Sequence, residues 1–306
     1  MRKTARMMKS DLSGHWLPLA GAVALWMPAM AAASHEWSHG EYYDYGWFVP
    51  PAAIWLMIVR WKNTHGGVVF PPRLLLWGLV VLLLPWFLIL RTLGGTDPGW
   101  RLPILLSGMT AVLAGHWLIA ATRGWQVSRG FIWITLFWLS ALPWPSVLES
   151  GIISQLTRWV VAAVADVFHL LGKPVEVSGA LLGLHGMTVE VADGCSGLRS
   201  FQSFVMATWF FAELQRLRPP GALTLLGIAC SVAFVVNTAR AYALASIRFN
   251  HGESAFNQAH EWLGLLAFAL SAVVFYLVSG LLSGHPRRVL VKSRHGRPAA
   301  RFTHDP

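Results

Sequence analysis

The chain has 306 residues, of which 55% are hydrophobic and only 12% are charged, and its formal net charge is +10. Soluble globular domains carry about a quarter charged residues, so the composition excludes an ordinary soluble protein and predicts an all-α polytopic membrane protein. The chain holds no basic soluble domain, so the positive charge is assigned to cytoplasmic loops, and we expect no nucleic-acid partner.

The first 33 residues resemble a secretory signal peptide, with a basic start, an apolar stretch and a run of small residues. We expect them to remain as an uncleaved anchor. The predicted organisation is a basic cytoplasmic N-terminus (1–14), one membrane domain (15–284) and a basic, disordered cytoplasmic tail (285–306) that can touch anionic lipid.

Eight apolar segments are predicted to cross the bilayer as helices. Acidic residues such as Glu36, Glu149 and Glu253 fall in alternate loops, and basic residues fall in the other loops and at both ends. Because basic loops stay in the cytoplasm, we expect both termini to be cytoplasmic. The predicted spans are 16–33, 47–60, 74–93, 102–122, 130–148, 199–215, 221–247 and 262–283.

The segment 151–171 is also apolar and long enough to span, but Arg158, Asp166 and His169 share one face of it as a helix. This pattern is typical of a helix at the outer interface. A ninth span would also place the basic tail outside, against the charge rule, so we expect an interfacial helix. The next segment, 172–195, alternates apolar and polar residues and predicts short extracytoplasmic strands or a hairpin.

Cys195 lies in the run Asp-Gly-Cys-Ser-Gly-Leu-Arg, a small, polar, glycine-flanked setting in a very apolar chain. The glycines let the backbone turn sharply and leave the sulfur accessible. A positive charge at Arg199, one helical turn further on, would favour the nucleophilic thiolate. Cys195 is therefore the candidate nucleophile, supported by Ser196 and Gly197 in the same turn. The second cysteine, Cys230, lies in an apolar run and is interpreted as a small buried hydrophobe.

Two further polar residues are predicted to lie on the same side of the membrane as Cys195. Arg240 lies inside a span, where a charge by default marks function or a buried partner, and Asn237 shares its face. An arginine that snorkels to the interface is the alternative interpretation. His260 begins the last span. A thiolate, an imidazole and a cation facing an oxyanion form a sufficient set for acyl transfer.

A competing pattern is His35-Glu-Trp-Ser-His39, in which His35 and His39 would be zinc ligands and Glu36 a general base. It is expected in a short outer loop without an obvious third ligand, so we expect no metal and no other cofactor. An intramembrane zinc metalloprotease remains one alternative function. A non-enzymatic transporter or assembly scaffold, with Arg240 binding an anionic substrate, is the other.

At Cys195, Arg240 and His260 the chain resembles the exosortase/archaeosortase family of membrane cysteine transpeptidases. The resemblance implies that Cys195 attacks a backbone carbonyl to form a thioester. It also implies that Arg240 stabilises the oxyanion or orients the thiolate, and that His260 acts as acid or base. The matching pieces are Trp37-Ser-His-Gly40, Val49-Pro50, the run 189–199, Asn237-Thr-Ala-Arg240, and His260 with Gly264.

The same resemblance implies the substrates, the partners and the location. The substrates would be exported proteins whose PEP-CTERM-like C-terminal sorting signal is a short motif, a transmembrane helix and an arginine-rich end. Water or a second nucleophile would release the acyl group. The protein would lie in the bacterial inner membrane, with its site facing the periplasm and with partners in exopolysaccharide assembly.

Overall fold

Apolar helices make up most of the molecule, as the composition predicts. The computed structural model describes residues 16–40, 42–64, 69, 72–97, 99–184, 186–190 and 197–283, so the predicted termini 1–14 and 285–306 lie outside it. The helices are α1 (Leu17–Ala24), α2 (Met27–His39), α3 (Val49–Lys62), α4 (Arg73–Thr96), α5 (Arg101–Arg123), α6 (Trp125–Arg129), α7 (Ile132–Leu139), α8 (Ser146–Leu170), α9 (Leu198–Leu214) and α10 (Pro219–Leu282). A 3-10 helix, Asp44–Trp47, precedes α3, and the strands β1 (Glu176–Ser178), β2 (Leu181–Leu184) and β3 (Met187–Glu190) follow α8.

Within the described residues, four helices are long and apolar enough to cross a membrane, and the pair α1 and α2, bent by 42°, is a fifth candidate. The other helices that match predicted spans, α3, α7 and α9, have 14, 8 and 17 residues. A straight crossing needs about 20 residues, so the count of eight spans stays a prediction. The four long candidates are Leu75–Thr96, Arg101–Arg123, Ser146–Leu170 and Pro219–Leu282.

One predicted span, 130–148, is wrong as a continuous helix. Helical structure covers only Ile132–Leu139, and the next helix begins at Ser146. Pro143 and Pro145 account for the break, because proline donates no backbone hydrogen bond and keeps the preceding residue out of the helical region.

The long helix α10 folds back on itself at Gly252, where the backbone has φ 81° and ψ −170°. Glycine adopts such a positive φ without a steric penalty. On a straight helix, residues 240 and 260 would lie about 30 Å apart. Instead, Nη2 of Arg240 lies 3.1 Å from Nε2 of His260. The limbs 219–251 and 253–282 therefore form an antiparallel hairpin that contains the last two predicted spans.

Ion pairs between helix termini define two ends of the bundle. At the end we call the Arg101 end, Arg101 on α5 pairs with Glu36 on α2 and with Glu149 on α8, at 3.0 and 2.5 Å. At the opposite Arg60 end, Arg60 on α3 pairs with Glu213 on α9 at 2.6 Å. Because Glu213 lies in the last turn of α9, that helix runs from the Arg101 end to the Arg60 end.

The helix α8 starts at the Arg101 end and continues away from the Arg60 end. Leu156 and Trp159 in its middle share a cavity with α10 around Asn237. Phe168 near its C-terminus packs on Tyr242 and Phe249, further along the same limb of α10. The helix therefore runs parallel to the outward part of that limb. It is also one of the four helices long and apolar enough to cross a membrane, so its assignment as an interfacial helix stays a prediction.

The three strands lie in the segment 172–195, where strands were predicted, and form one antiparallel sheet in the order β1-β2-β3. The register pairs Glu176 with Gly183 and Leu181 with Glu190. Apolar side chains of the sheet join a buried cluster with the C-terminal half of α8 and with α10. The sheet thus packs beyond the Arg101 end, and β3 stops five residues before Cys195.

Candidate active site

Arg240 and His260, one on each limb of the α10 hairpin, are in direct contact. Nη2 of Arg240 donates to Nε2 of His260 at 3.1 Å. Arginine has no acceptor atom, so Nε2 must accept and the ring hydrogen lies on Nδ1. A Cβ at Gly264, one turn after His260, would lie 3.4 Å from Nη2 of Arg240. The glycine therefore lets the guanidinium approach the second limb closely.

Arg240 keeps donor capacity beyond its contact with His260. Its Nε is buried and has no hydrogen-bond partner. In the part of the chain that the structure describes, no salt bridge involves Arg240. A buried cationic donor without an acceptor costs free energy, so this N–H is available to an anion or to a polarised carbonyl oxygen. The buried Nε also disfavours the alternative in which this arginine snorkels into water.

The loop that carries the candidate nucleophile meets α10 at Gly197. This residue precedes the first turn of α9 with φ 83° and ψ 7°, and a Cβ there would lie only 2.9 Å from Cγ of Asn237. Asn237 is buried and lies one turn before Arg240 on the same limb. Cys195 and Ser196 lie outside the described residues, and their roles stay predictions. In the sequence, Cys195 precedes Gly197 by two residues.

We expect Gly197→Ala to reduce activity by more than about tenfold. The new methyl group would force apart Gly197 and Asn237, and a shift of about 1 Å at a catalytic centre costs on the order of 100-fold. The measurement is processing of a reporter that carries a C-terminal sorting signal.

Gly172→Ala is the matched control for this substitution. Gly172 has a similar φ of 74°, but a Cβ there meets nothing within 4 Å, so the control carries the backbone strain without the clash. We expect it to retain processing within about twofold, since strain of this kind costs roughly 1–2 kcal/mol of stability. Equal losses in Gly172→Ala and Gly197→Ala would show that backbone strain, not the fit against Asn237, is responsible.

The remaining supporting residue, Arg199, has an exposed side chain in the first turn of α9. The structure therefore brings Gly197, Asn237, Arg240 and His260 together through α9 and both limbs of α10.

The zinc-like pattern lies in the last turns of α2, not in the loop that was expected. His35 and His39 share a helix face and their rings stack at 4.8 Å. Glu36 lies on a different face, where its carboxylate binds Arg101 and is not free to act as a base. In the described part of the chain, no three His, Cys, Asp or Glu side chains are grouped to hold a metal ion.

Sequence reasoning missed a buried polar cluster at the Arg101 end, which joins residues far apart in the chain. The hydroxyl of Tyr43 donates to Glu149 at 2.5 Å and accepts from the backbone N–H of Trp144 at 2.9 Å. Burial, and then the hydrogen bond to Glu149, raise the pKa of Tyr43, so this phenol stays protonated. The ring of Trp144 packs edge-on against Phe201, one turn after Gly197. The cluster therefore fixes one wall of the site.

A cavity of 590 Å³ beside Gly197 and Asn237 was also not anticipated. Cys230, interpreted from the sequence as a buried hydrophobe, is half-buried and lines this cavity. The signal for it in the sequence is a cluster of small residues on α10, because Cys230, Ser231 and Ala233 leave space between larger apolar neighbours.

A family model described as transmembrane exosortase (Exosortase_EpsH) matches residues 37–277, more than three quarters of the chain. The matched range includes the α10 hairpin with Arg240 and His260. No curated protein and no solved structure gives a match.

Proposed function

The chain belongs to the transmembrane exosortase family, and we propose that it is a membrane-embedded cysteine transpeptidase that cleaves the C-terminal sorting signal of exported proteins. The observation that carries the proposal is the 3.1 Å contact between Arg240 and His260, close to the turn that contains Gly197. A cation with an unused donor and an imidazole thus lie near Gly197, which follows the candidate thiol by two residues in the sequence.

In the proposed reaction, Arg240 turns its donors to the carbonyl oxygen of the scissile peptide bond, which releases Nε2 of His260 from its hydrogen bond. Nε2 then takes the proton of the Cys195 thiol, the sulfur attacks the carbonyl carbon, and Arg240 stabilises the oxyanion that forms. The carbon–nitrogen bond breaks, and the leaving amine receives the proton from His260. Water or a second nucleophile then attacks the thioester and restores the thiol.

The proposed location is the bacterial inner membrane, with the site facing the periplasm and both termini in the cytoplasm. The distribution of charge supports this orientation. Arg60 and Arg123 lie at the Arg60 end, where the guanidinium of Arg123 stacks on Trp61 at 3.6 Å. Glu36 and Glu149 lie at the Arg101 end. Positive residues are typical of the cytoplasmic side, so this distribution supports the Arg60 end as the cytoplasmic one.

The test is Cys195→Ala in cells that also make an exported reporter ending in a recognition motif, an apolar helix and an arginine-rich end. We expect the uncleaved reporter to accumulate while the variant stays in the membrane at the wild-type level. Hydroxylamine should release the acyl group trapped on the wild-type enzyme, because it cleaves thioesters.

The same assay separates the alternatives. Full processing by Cys195→Ala would overturn the proposal. Loss of processing with a chelator but not with a thiol alkylator would favour a metalloprotease. A function that needs Arg240 but not Cys195 would favour a transporter or scaffold.

A further inference from the structure

The 590 Å³ cavity lies between α8, α9 and the first limb of α10. Its upper end is formed by Gly197 and Asn237, and its lower end by Cys230 and Ser231. Asn237 follows Cys230 by seven positions, which corresponds to about 10 Å along the helix. Among the described residues that line it, none is charged, and those not yet named are Leu156, Trp159, Phe201, Ala233, Phe234 and Val235.

The depth of the cavity follows from its position on α10. This limb starts at the Arg60 end with Pro219, and at 1.5 Å per residue Cys230 lies about 16 Å above that point. Asn237 lies about 27 Å above it, close to the thickness of a hydrocarbon core of about 30 Å. The cavity therefore occupies the half of the membrane next to the candidate site and ends at that site.

The cavity opens to its surroundings between α8 and α10, where Trp159 is 55% and Val235 is 63% exposed. A chain that leaves the candidate site into the membrane enters this space directly. Within lipid, such a chain must satisfy its backbone hydrogen bonds internally, so it must be helical. The small side chains of Cys230, Ser231 and Ala233 let a second helix backbone approach closely.

We propose that this cavity, which we call the helix pocket, binds the first two turns of the apolar helix that follows the scissile bond of the substrate. The inference rests on the proposed function and adds the location of the substrate helix. A helix advances about 10 Å in seven residues, which matches the distance from Asn237 to Cys230. The pocket ends at Gly197, two residues after Cys195 in the sequence. A substrate whose carbonyl group reacts with that thiol would therefore continue into the pocket with the residues after its scissile bond.

Cross-linking through Cys230 tests the proposal. The chain has two cysteines, so Cys195→Ala leaves Cys230 as the single thiol and also leaves the reporter uncleaved. Single cysteines are placed at successive positions of the reporter's apolar helix, and a short bismaleimide is added to membranes. We expect the adduct to peak about six to eight residues after the scissile bond, with weaker repeats every three to four residues.

The matched control moves the thiol to another face of α10 at nearly the same depth. It carries Cys195→Ala, Cys230→Ala and Ile228→Cys, and Ile228 is 36% exposed and does not line the cavity. We expect at least tenfold less adduct at the peak position. Equal adduct from the two thiols, or adduct without a positional peak, would overturn the inference.

Filling the pocket provides a second measurement. Ser231→Phe should lower processing about tenfold for a reporter with leucines in its first two turns, and alanines there should restore it. Unchanged processing of the leucine reporter contradicts the helix pocket. If processing depends on Cys195 but shows neither effect, the helix pocket is refuted and the proposed function stands. If processing does not depend on Cys195, the proposed function itself is refuted.

Discussion

Arg240→Lys should lower reporter processing by at least about 100-fold, because removing one preorganised oxyanion donor typically costs 10²–10³ in rate. Lysine keeps the positive charge but presents it as a point. Its ammonium group cannot present the fixed, planar set of N–H donors that the guanidinium turns toward the substrate oxygen. The measurement is the rate of reporter cleavage in membranes at matched enzyme levels. The Arg240→Ala variant should be at least as impaired.

Arg248→Lys is the matched control, since it lies eight residues later on the same limb. The side chain of Arg248 is 30% exposed, and its partner Glu253, at 3.1 Å, is 71% exposed. Exposed pairs of this kind contribute about 0–1 kcal/mol, so we expect processing within twofold of wild type. A rate for Arg240→Lys above a third of the wild-type rate would contradict an oxyanion role for Arg240.

His260→Gln combined with Arg240→Ala tests whether the two residues act as a unit. Residues that share one transition state give strongly non-additive losses, so the double variant should be about as slow as the slower single variant. If the fold-loss of the double variant equals the product of the two single-variant losses, the 3.1 Å contact does not couple the two residues in the reaction.

The sequence predicted the parts of the fold that depend on local pattern. Apolar length located α4, α5 and both limbs of α10, and alternation located the strands. It failed at 130–148, where hydrophobicity continues although Pro143 and Pro145 end the helix. Hydropathy reports which segments avoid water, but it does not report whether their backbone is helical.

The candidate site was predictable to the same degree. The spacing of Asn237 and Arg240 puts them on one helix face, and the span boundaries put His260 at a similar depth. That their side chains touch, or line a common cavity with Cys230, depends on how the limbs align after Gly252. The pairing of Arg101 with Glu36 and Glu149 joins residues 65 and 48 positions apart, which no local pattern encodes.

Arg101→Met should destabilise the protein more than any surface substitution. The side chains of Glu36 and Glu149 are only 9% and 8% exposed, and Arg101 is the cation that binds both. Removing one partner of a buried ion pair costs about 3–5 kcal/mol, because the remaining charge stays buried without compensation. Protonated Tyr43 donates a hydrogen bond to Glu149 but supplies no positive charge.

Thermal unfolding in detergent measures this effect, and we expect the melting temperature to fall by about 5–10 °C. Arg158→Met is the control, because Arg158 lies exposed on α8 and bonds only Gln155 among the contacts described for its side chain. Adding Glu36→Gln and Glu149→Gln to Arg101→Met should recover part of the loss, since a buried network replaced as a whole is often neutral in stability. If neutralising both carboxylates recovers nothing, the loss arises from packing around Arg101 and not from buried charge.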